Sequence, residues 1–238
     1  MKLYLYCLAE HLEELTVPAG ISGAKVEVRK LEGFSVLVSE FDEKQLPLNI
    51  ENVLAHAAVV QTVFKDTTPL PFRYGSLVTE QQLRNYITSN RSDFEKKLAM
   101  VRGLVEMSVR IIGNIDPPKI ETNSETGEPG PGTRFLKQKR QEILGGEARD
   151  SQVKEISAWL QDRLGPLVSW EHVSVHPGEK LGVQIAHLVS RELVTEYRDR
   201  LSEARKTRPE LHFLVSGPWP PYTFCNIELE FKTRFGVS

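Results

Sequence analysis

The chain has 238 residues, 40% of them apolar and 26% charged, which suits a globular protein with a full core and, at ~150 residues per domain, one large domain or two small ones. A formal net charge of -2 supplies no field for nucleic acid or anionic lipid, no apolar run approaches the ~20 residues of a membrane span, and the first residues read as a strand rather than a signal peptide, so a cytoplasmic protein is expected. Cys7 and Cys225 stand far apart with no CxxC partner, which argues against a disulfide framework or a zinc site.

Leu3 to Leu8 reads as a central strand, with Leu3, Leu5 and Cys7 on one side and Tyr4, Tyr6 and Leu8 on the other, because both sides are apolar or aromatic. Val26–Val28 and Phe34–Val38 follow, joined through Leu31, Glu32 and Gly33, which predicts a hairpin with a short Gly turn. Asn49 is an N-cap candidate. Behind it Ile50, Val53, Leu54, Ala57, Val60 and Phe64 recur at helical spacing and predict the face that packs on the sheet. His56 lies in this helix with no acid or nucleophile motif beside it, and reads as a satisfied, partly buried histidine. Thr79 caps a second helix, and Asn90 offers a cap for a third.

From Leu104 to Ile112 the period changes to alternation, the mark of a half-buried strand. After it come a Pro- and Gly-rich segment over 114–132, a long helical region from Arg134 to about Leu164, strands near Leu167–His176 and Leu181–Val189, a helix over Arg191–Arg205 and a strand over Leu211–Val215. The turn from His176 to Lys180 closes the central hairpin. This order, βαββαβ, predicts a ferredoxin-like domain. The fold class is α+β: an N-terminal sheet-and-helix domain over 1–101, a ferredoxin-like domain over 102–217, and an extended C-terminal tail over 218–238.

Chemistry is sparse. Neither H-x-x-x-H, G-x-S-x-G nor a strand-linked G-x-G-x-x-G occurs, and His172, His176, His187 and His212 lack a carboxylate or cysteine at ligand spacing. No catalytic, cofactor-binding or metal residue is assigned. The basic run Arg134, Lys137, Lys139 and Arg140 is interspersed with acids on both sides, Glu128 and Glu142 among them, and reads as a solvated helix face rather than a phosphate contact.

Two stretches stand out. In the first, Pro69 and Pro71 hold an extended segment, Gly75 permits a turn, and Arg73 sits between Phe72 and Tyr74. Arg73 is either a buried clamp paired with acceptors or a cation presented to a partner. In the second, Gly217 to Tyr222 carries three prolines with Trp219 and Tyr222, and predicts a stiff polyproline-like connector. Beyond it Cys225, Ile227, Leu229 and Phe231 alternate with Asn226, Glu228, Glu230 and Lys232. That pattern is either an extra strand folded back on the domains or an amphipathic strand for another protein's sheet edge.

The run from Pro69 to Val78 resembles the Pro-hydrophobic-Arg-aromatic-Gly signature of the gas vesicle GvpF/GvpL family. Gly132 to Arg140 is similar to that family's Gly-x-x-(Tyr/Phe)-Leu helix start, and Gly217 to Phe224 to its Gly-Pro-Trp-Pro-Pro-Tyr-x-Phe element. The resemblance, closer to the F type, implies a non-enzymatic, minor structural or assembly component of gas vesicles, the hollow protein shells that give buoyancy. It implies association with the major shell protein GvpA, with no cofactor, no nucleic acid and no membrane, and a place in the vesicle wall, on its gas-facing side or elsewhere. Arg73, Tyr74, Gly75, Trp219, Tyr222, Ile227, Leu229 and Phe231 are the candidate structural or partner-contacting residues. The competing reading is a small-molecule-binding or enzymatic ferredoxin-like protein, since that fold hosts many functions.

Overall fold

A computed structural model describes residues 2–12, 15–42, 48–113, 131–176, 181–225 and 227, with backbone alone over most of 131–145 and at 181. The chain divides into two units, Met1–Glu106 with Gly217–Ser238, and Met107–Ser216.

In the first unit the central strand β1 (Lys2–Ala9) is buried from Leu3 onward, as its two apolar sides require. It lies between β3 (Phe34–Phe41) and two short strands, β4 (Leu70–Pro71) and β5 (Leu77–Val78), and β2 (Val26–Leu31) flanks β3. The β2–β3 hairpin turns through Glu32 and Gly33, both at positive φ, the signature of a two-residue turn matched to strand twist. Between Leu5 and Cys7 the pairing with β3 slips by one residue. Strict alternation therefore ends at Tyr6, and Cys7 and Ala9 join the same core cluster as Tyr4 and Tyr6.

Both faces of this sheet are covered. Helix α1 (Ile50–Asp66) packs Val59, Val60 and Val63 against Tyr4, Tyr6, Leu37 and Phe41. On the other face Phe34 meets Phe94 of α3 (Arg91–Val101) edge-on, ring centroids 6.0 Å apart. Helix α2 (Glu80–Ser89) begins with a full capping box between Thr79 and Gln82. Asn90 departs from expectation: its side-chain amide donates to the Tyr86 carbonyl at 2.9 Å and makes no cap bond for α3. Its side chain closes α2, while its carbonyl opens α3 by accepting the Asp93 and Phe94 N–H groups at 3.0 Å each.

The second sheet has strand order β7-β8-β6-β9, from β6 (Leu104–Gly113), β7 (Val168–His176), β8 (Leu181–Ser190) and β9 (His212–Trp219). Helices α4 (Pro131–Leu164) and α5 (Val194–Lys206) supply Ile156, Leu160, Leu164, Tyr197 and Leu201 to a core shared with Met107, Val109, Ile111, Val183, Ile185 and Phe213. The segment from Gly217 is not wholly a connector: β9 continues through Pro218 to Trp219. The ladder tolerates the proline because β9 is an edge strand, where one missing N–H can face away from the sheet. The turn residues 177–180, the segment 114–130, Leu229 and Phe231 lie outside the described residues.

Candidate docking surface of the first unit

Beneath the first sheet lies a buried polar and aromatic cluster that sets the orientation of α1. Tyr4 Oη donates to His56 Nδ1 at 2.8 Å, and the other His56 ring nitrogen donates to the Phe72 carbonyl. Desolvation in this pocket holds the imidazole neutral and pushes its pKa down to about 4, while burial pushes the Tyr4 phenol up. Tyr6 Oη lies 3.0 Å from Ser39 Oγ and accepts the Ile21 N–H at 3.0 Å. Asn52 Oδ1 accepts the Ser22 N–H at 2.7 Å. His56 is thus the satisfied core histidine that its surroundings in the sequence suggest.

These bonds decide which face of α1 points inward. Its buried residues are Asn52, His56, Val59, Val60, Val63 and Phe64. Val60 and Phe64 lie inward as expected, whereas Ile50, Val53, Leu54 and Ala57, expected there too, are exposed. The helix turns two polar groups inward because Tyr4 of β1 and the Ser22 amide of the 3-10 turn Ile21–Gly23 need partners there, and the apolar row at 50, 53, 54 and 57 is carried to the outside. Leu48, just before the Asn49 cap, extends it. Leu48, Ile50, Val53 and Leu54 keep 81%, 75%, 41% and 62% of their surface exposed.

The Arg73 turn lies against the same cluster. The Phe72 N–H donates to the Tyr6 carbonyl at 2.9 Å, and the Ser76 N–H and hydroxyl both bond to the Arg73 carbonyl. Gly75, at φ +92°, occupies the third turn position, where a side chain would be strained. Tyr74 packs edge-on to His56 and Tyr4 and takes a hydrogen bond with Asn52. Tyr74 and Gly75 thus lie against the buried cluster, whereas Arg73 is exposed at the head of the turn.

The C-terminal segment is also anchored. The buried Glu106 carboxylate accepts the Thr223 N–H at 2.8 Å and its hydroxyl at 2.7 Å, Cys225 and Ile227 are buried, and Ile227 forms a parallel bridge to Phe72. Ile227 belongs to the core, whereas Trp219 and Tyr222 are exposed. Replacing Glu106 by Ala is expected to cost about 2–3 kcal/mol and to speed proteolytic cleavage of the C-terminal segment. An unchanged unfolding midpoint and cleavage rate would contradict that anchoring.

In the second unit, Ser157 donates to Glu171 at 2.7 Å, Glu171 accepts from His187 Nε2 at 2.9 Å, and His187 Nδ1 lies 2.7 Å from Tyr197 Oη. The chain joins α4, β7, β8 and α5. Its bonds to His187 and Ser157 hold the Glu171 carboxyl below its usual range. With His187 and Tyr197 buried, it acts as a four-element latch. Tyr197→Phe is expected to cost about 1–3 kcal/mol by leaving a buried ring nitrogen unsatisfied, as measured by urea unfolding. His172, His176 and His212 are exposed. Among the described residues no group of three His, Cys, Asp or Glu side chains is placed to hold a metal ion, and no helix is long and apolar enough to cross a membrane.

Comparison with known proteins agrees across nearly the whole length. A family model described as gas vesicle synthesis protein GvpL/GvpF matches residues 2–226. Gas vesicle protein F1 of Halobacterium salinarum is 24% identical over 240 residues, covering 98% of this chain and 97% of its own, and gas vesicle protein F of Haloferax mediterranei is 26% identical over 237 residues, covering 95% and 94%. The crystal structures of GvpF from an Anabaena species and from Microcystis aeruginosa share the fold, each with a TM-score of 0.78 at 19% and 20% identity, over 96% and 95% of this chain and 99% of theirs. The chain belongs to the gas vesicle GvpL/GvpF family.

Proposed function

We propose that this protein is a non-catalytic assembly or minor wall component that associates in the cytoplasm with the gas vesicle shell protein GvpA and helps vesicles form. The observation that carries the reading is the family match over residues 2–226. The element order from β6 to β9 and the strand order β7-β8-β6-β9 support a ferredoxin-like second domain. A shell subunit with an apolar face aggregates before assembly unless that face is covered, and a soluble companion with an apolar surface of its own can cover it.

Arg73, Trp219 and Tyr222 are the partner-facing candidates, since each combines exposure with a backbone fixed by the folded core. Truncation of the C-terminal segment is a poor test of this role, because it also removes the buried Cys225 and Ile227. Point substitution is cleaner. Arg73→Leu is expected to change stability by no more than about 0.5 kcal/mol, as for an exposed residue, and to reduce GvpA recovered with the tagged full chain from a vesicle-forming host. Recovery of no GvpA with the wild-type chain contradicts the proposed association. Normal recovery with the variant removes Arg73 from it.

A further inference from the structure

Charges on the surface helices of the first unit pair along their own helix, as Arg84 does with Glu80 on α2 and Arg91 with Glu95 on α3. Helix α1 is organised otherwise. Between Glu51 and Lys65 it carries no Asp, Glu, Lys or Arg, and its exposed positions there are Val53, Leu54, Ala57 and Ala58. Glu51 and Lys65 are themselves exposed and stand too far apart along the helix to meet, and among the described residues neither forms an ion pair. By the helical period both lie on one flank of the apolar row, each about two turns from Ala58. The third charge, Asp66, lies round the helix from that flank.

We infer that α1 packs antiparallel against α1 of a second copy of this chain, about a two-fold axis level with Ala58, as a weak and reversible dimer. Charge complementarity selects this partner. The two-fold sets Glu51 of each copy beside Lys65 of the other, so that both charges gain a partner across the interface. A parallel pair would set like charges side by side. The seam is self-complementary as well: Ile50, Leu54, Ala57 and Gln61 recur at i, i+4, i+7 and i+11, the spacing at which two helices interleave. Ala57 and Ala58 place only methyl groups at the crossing, which admits the ~8–10 Å separation of close helix packing, and antiparallel alignment sets the two helix dipoles in opposition. The exposed fractions of Leu48, Ile50, Val53 and Leu54 supply roughly 450 Å² of apolar surface per copy, which belongs to the small, transient class of interface and not to the permanent one. The inference is independent of the shell-protein association.

Sedimentation of the full chain is the test. Wild type is expected to be monomeric at about 1 µM and mostly dimeric at about 200 µM, the behaviour of a small interface. Leu54→Lys, which puts a charge into the seam, is expected to stay monomeric throughout. Glu51→Lys and Lys65→Glu each set like charges opposite one another twice, and each is expected to weaken dimerisation by about fivefold or more. Combining the two restores opposite signs and is expected to return dimerisation to within about twofold of wild type. All the variants are expected to unfold in urea near the wild-type midpoint, because the substituted side chains already face water. A wild-type chain that stays monomeric throughout overturns the inference, as does a dimer that Leu54→Lys leaves intact. A double variant no stronger than the single reversals overturns the antiparallel arrangement. Monomeric wild type that captures co-expressed shell protein, with capture lost in Leu54→Lys, assigns the row to that partner and overturns the inference too.

Discussion

Acidification from pH 7 to pH 4 is expected to lower the unfolding free energy of the first unit by about 3 kcal/mol through His56 alone. The imidazole is buried, accepts from Tyr4, donates to the Phe72 carbonyl and has its pKa pushed down to about 4, against an ordinary value near 6.5. Above the ordinary value neither state binds the proton, and His56 adds no pH dependence. Between about 6.5 and 4 the unfolded chain takes up a proton that the folded chain refuses, so stability falls with decreasing pH by about 1.4 kcal/mol per unit. Below about 4 the folded state is protonated too, and the slope vanishes. Urea unfolding across this range, compared with His56→Gln, isolates the effect because the variant cannot titrate there. Equal pH slopes in the two proteins would show that His56 is not held neutral in the fold.

Gly20→Ala is expected to destabilise the first unit by about 3 kcal/mol. Backbone conformation is not the reason, since Gly20 has φ -83°, which any residue adopts. Space is: a Cβ there would lie 1.8 Å from Tyr6 Oη and 3.0 Å from Ser39 Oγ. The hydroxyl it would displace is held by Ser39 and the Ile21 N–H. Tyr6→Phe alone is expected to cost about 1–2 kcal/mol, by leaving the Ile21 N–H without that acceptor. Combined with Gly20→Ala it removes the clashing atom, so the double variant is expected to be at least 1 kcal/mol more stable than the sum of the single effects predicts. Strict additivity would show that Gly20 is constrained by something other than Tyr6.

These two positions also show what a single sequence displays and what it hides. The β1 strand, the Glu32–Gly33 hairpin, the Asn49 cap and the Thr79 cap depend on local spacing and turn chemistry and appear where the sequence predicts them. The two sides of β1 do not, because the slip between Leu5 and Cys7 brings Cys7 to the side of Tyr4 and Tyr6. The orientation of α1 does not, because an apolar row signals burial only when no stronger demand competes. Here Tyr4 of β1 and the Ser22 amide in the 3-10 turn ahead of β2 need partners, and His56 and Asn52 answer them. The row at 50, 53, 54 and 57 then faces outward, although periodicity alone assigns it to the core.

The Arg73 region divides along the same line. The prolines and Gly75 are legible as a rigid turn, and that turn is present. Which side chains of the turn point inward depends on β1 and α1, distant in sequence, so the choice between a buried and an exposed Arg73 is not legible locally: Tyr74 packs against His56 and Tyr4, and the cation is exposed. Likewise Glu171 and His187 lie directly opposite on β7 and β8, but their pairing requires the register of a hairpin whose loop length is not set by composition.

Flotation is the most direct test of the central claim, that this protein works in company with shell protein. Intact vesicles from a forming host are floated, washed and probed for this chain before and after the outer surface is stripped, and the soluble fraction is probed for its complex with shell protein. The two proteins are expected together in at least one fraction: persistence after stripping marks a wall component, and a soluble complex alone marks an assembly factor. Shell protein absent from every fraction that holds this chain would contradict it.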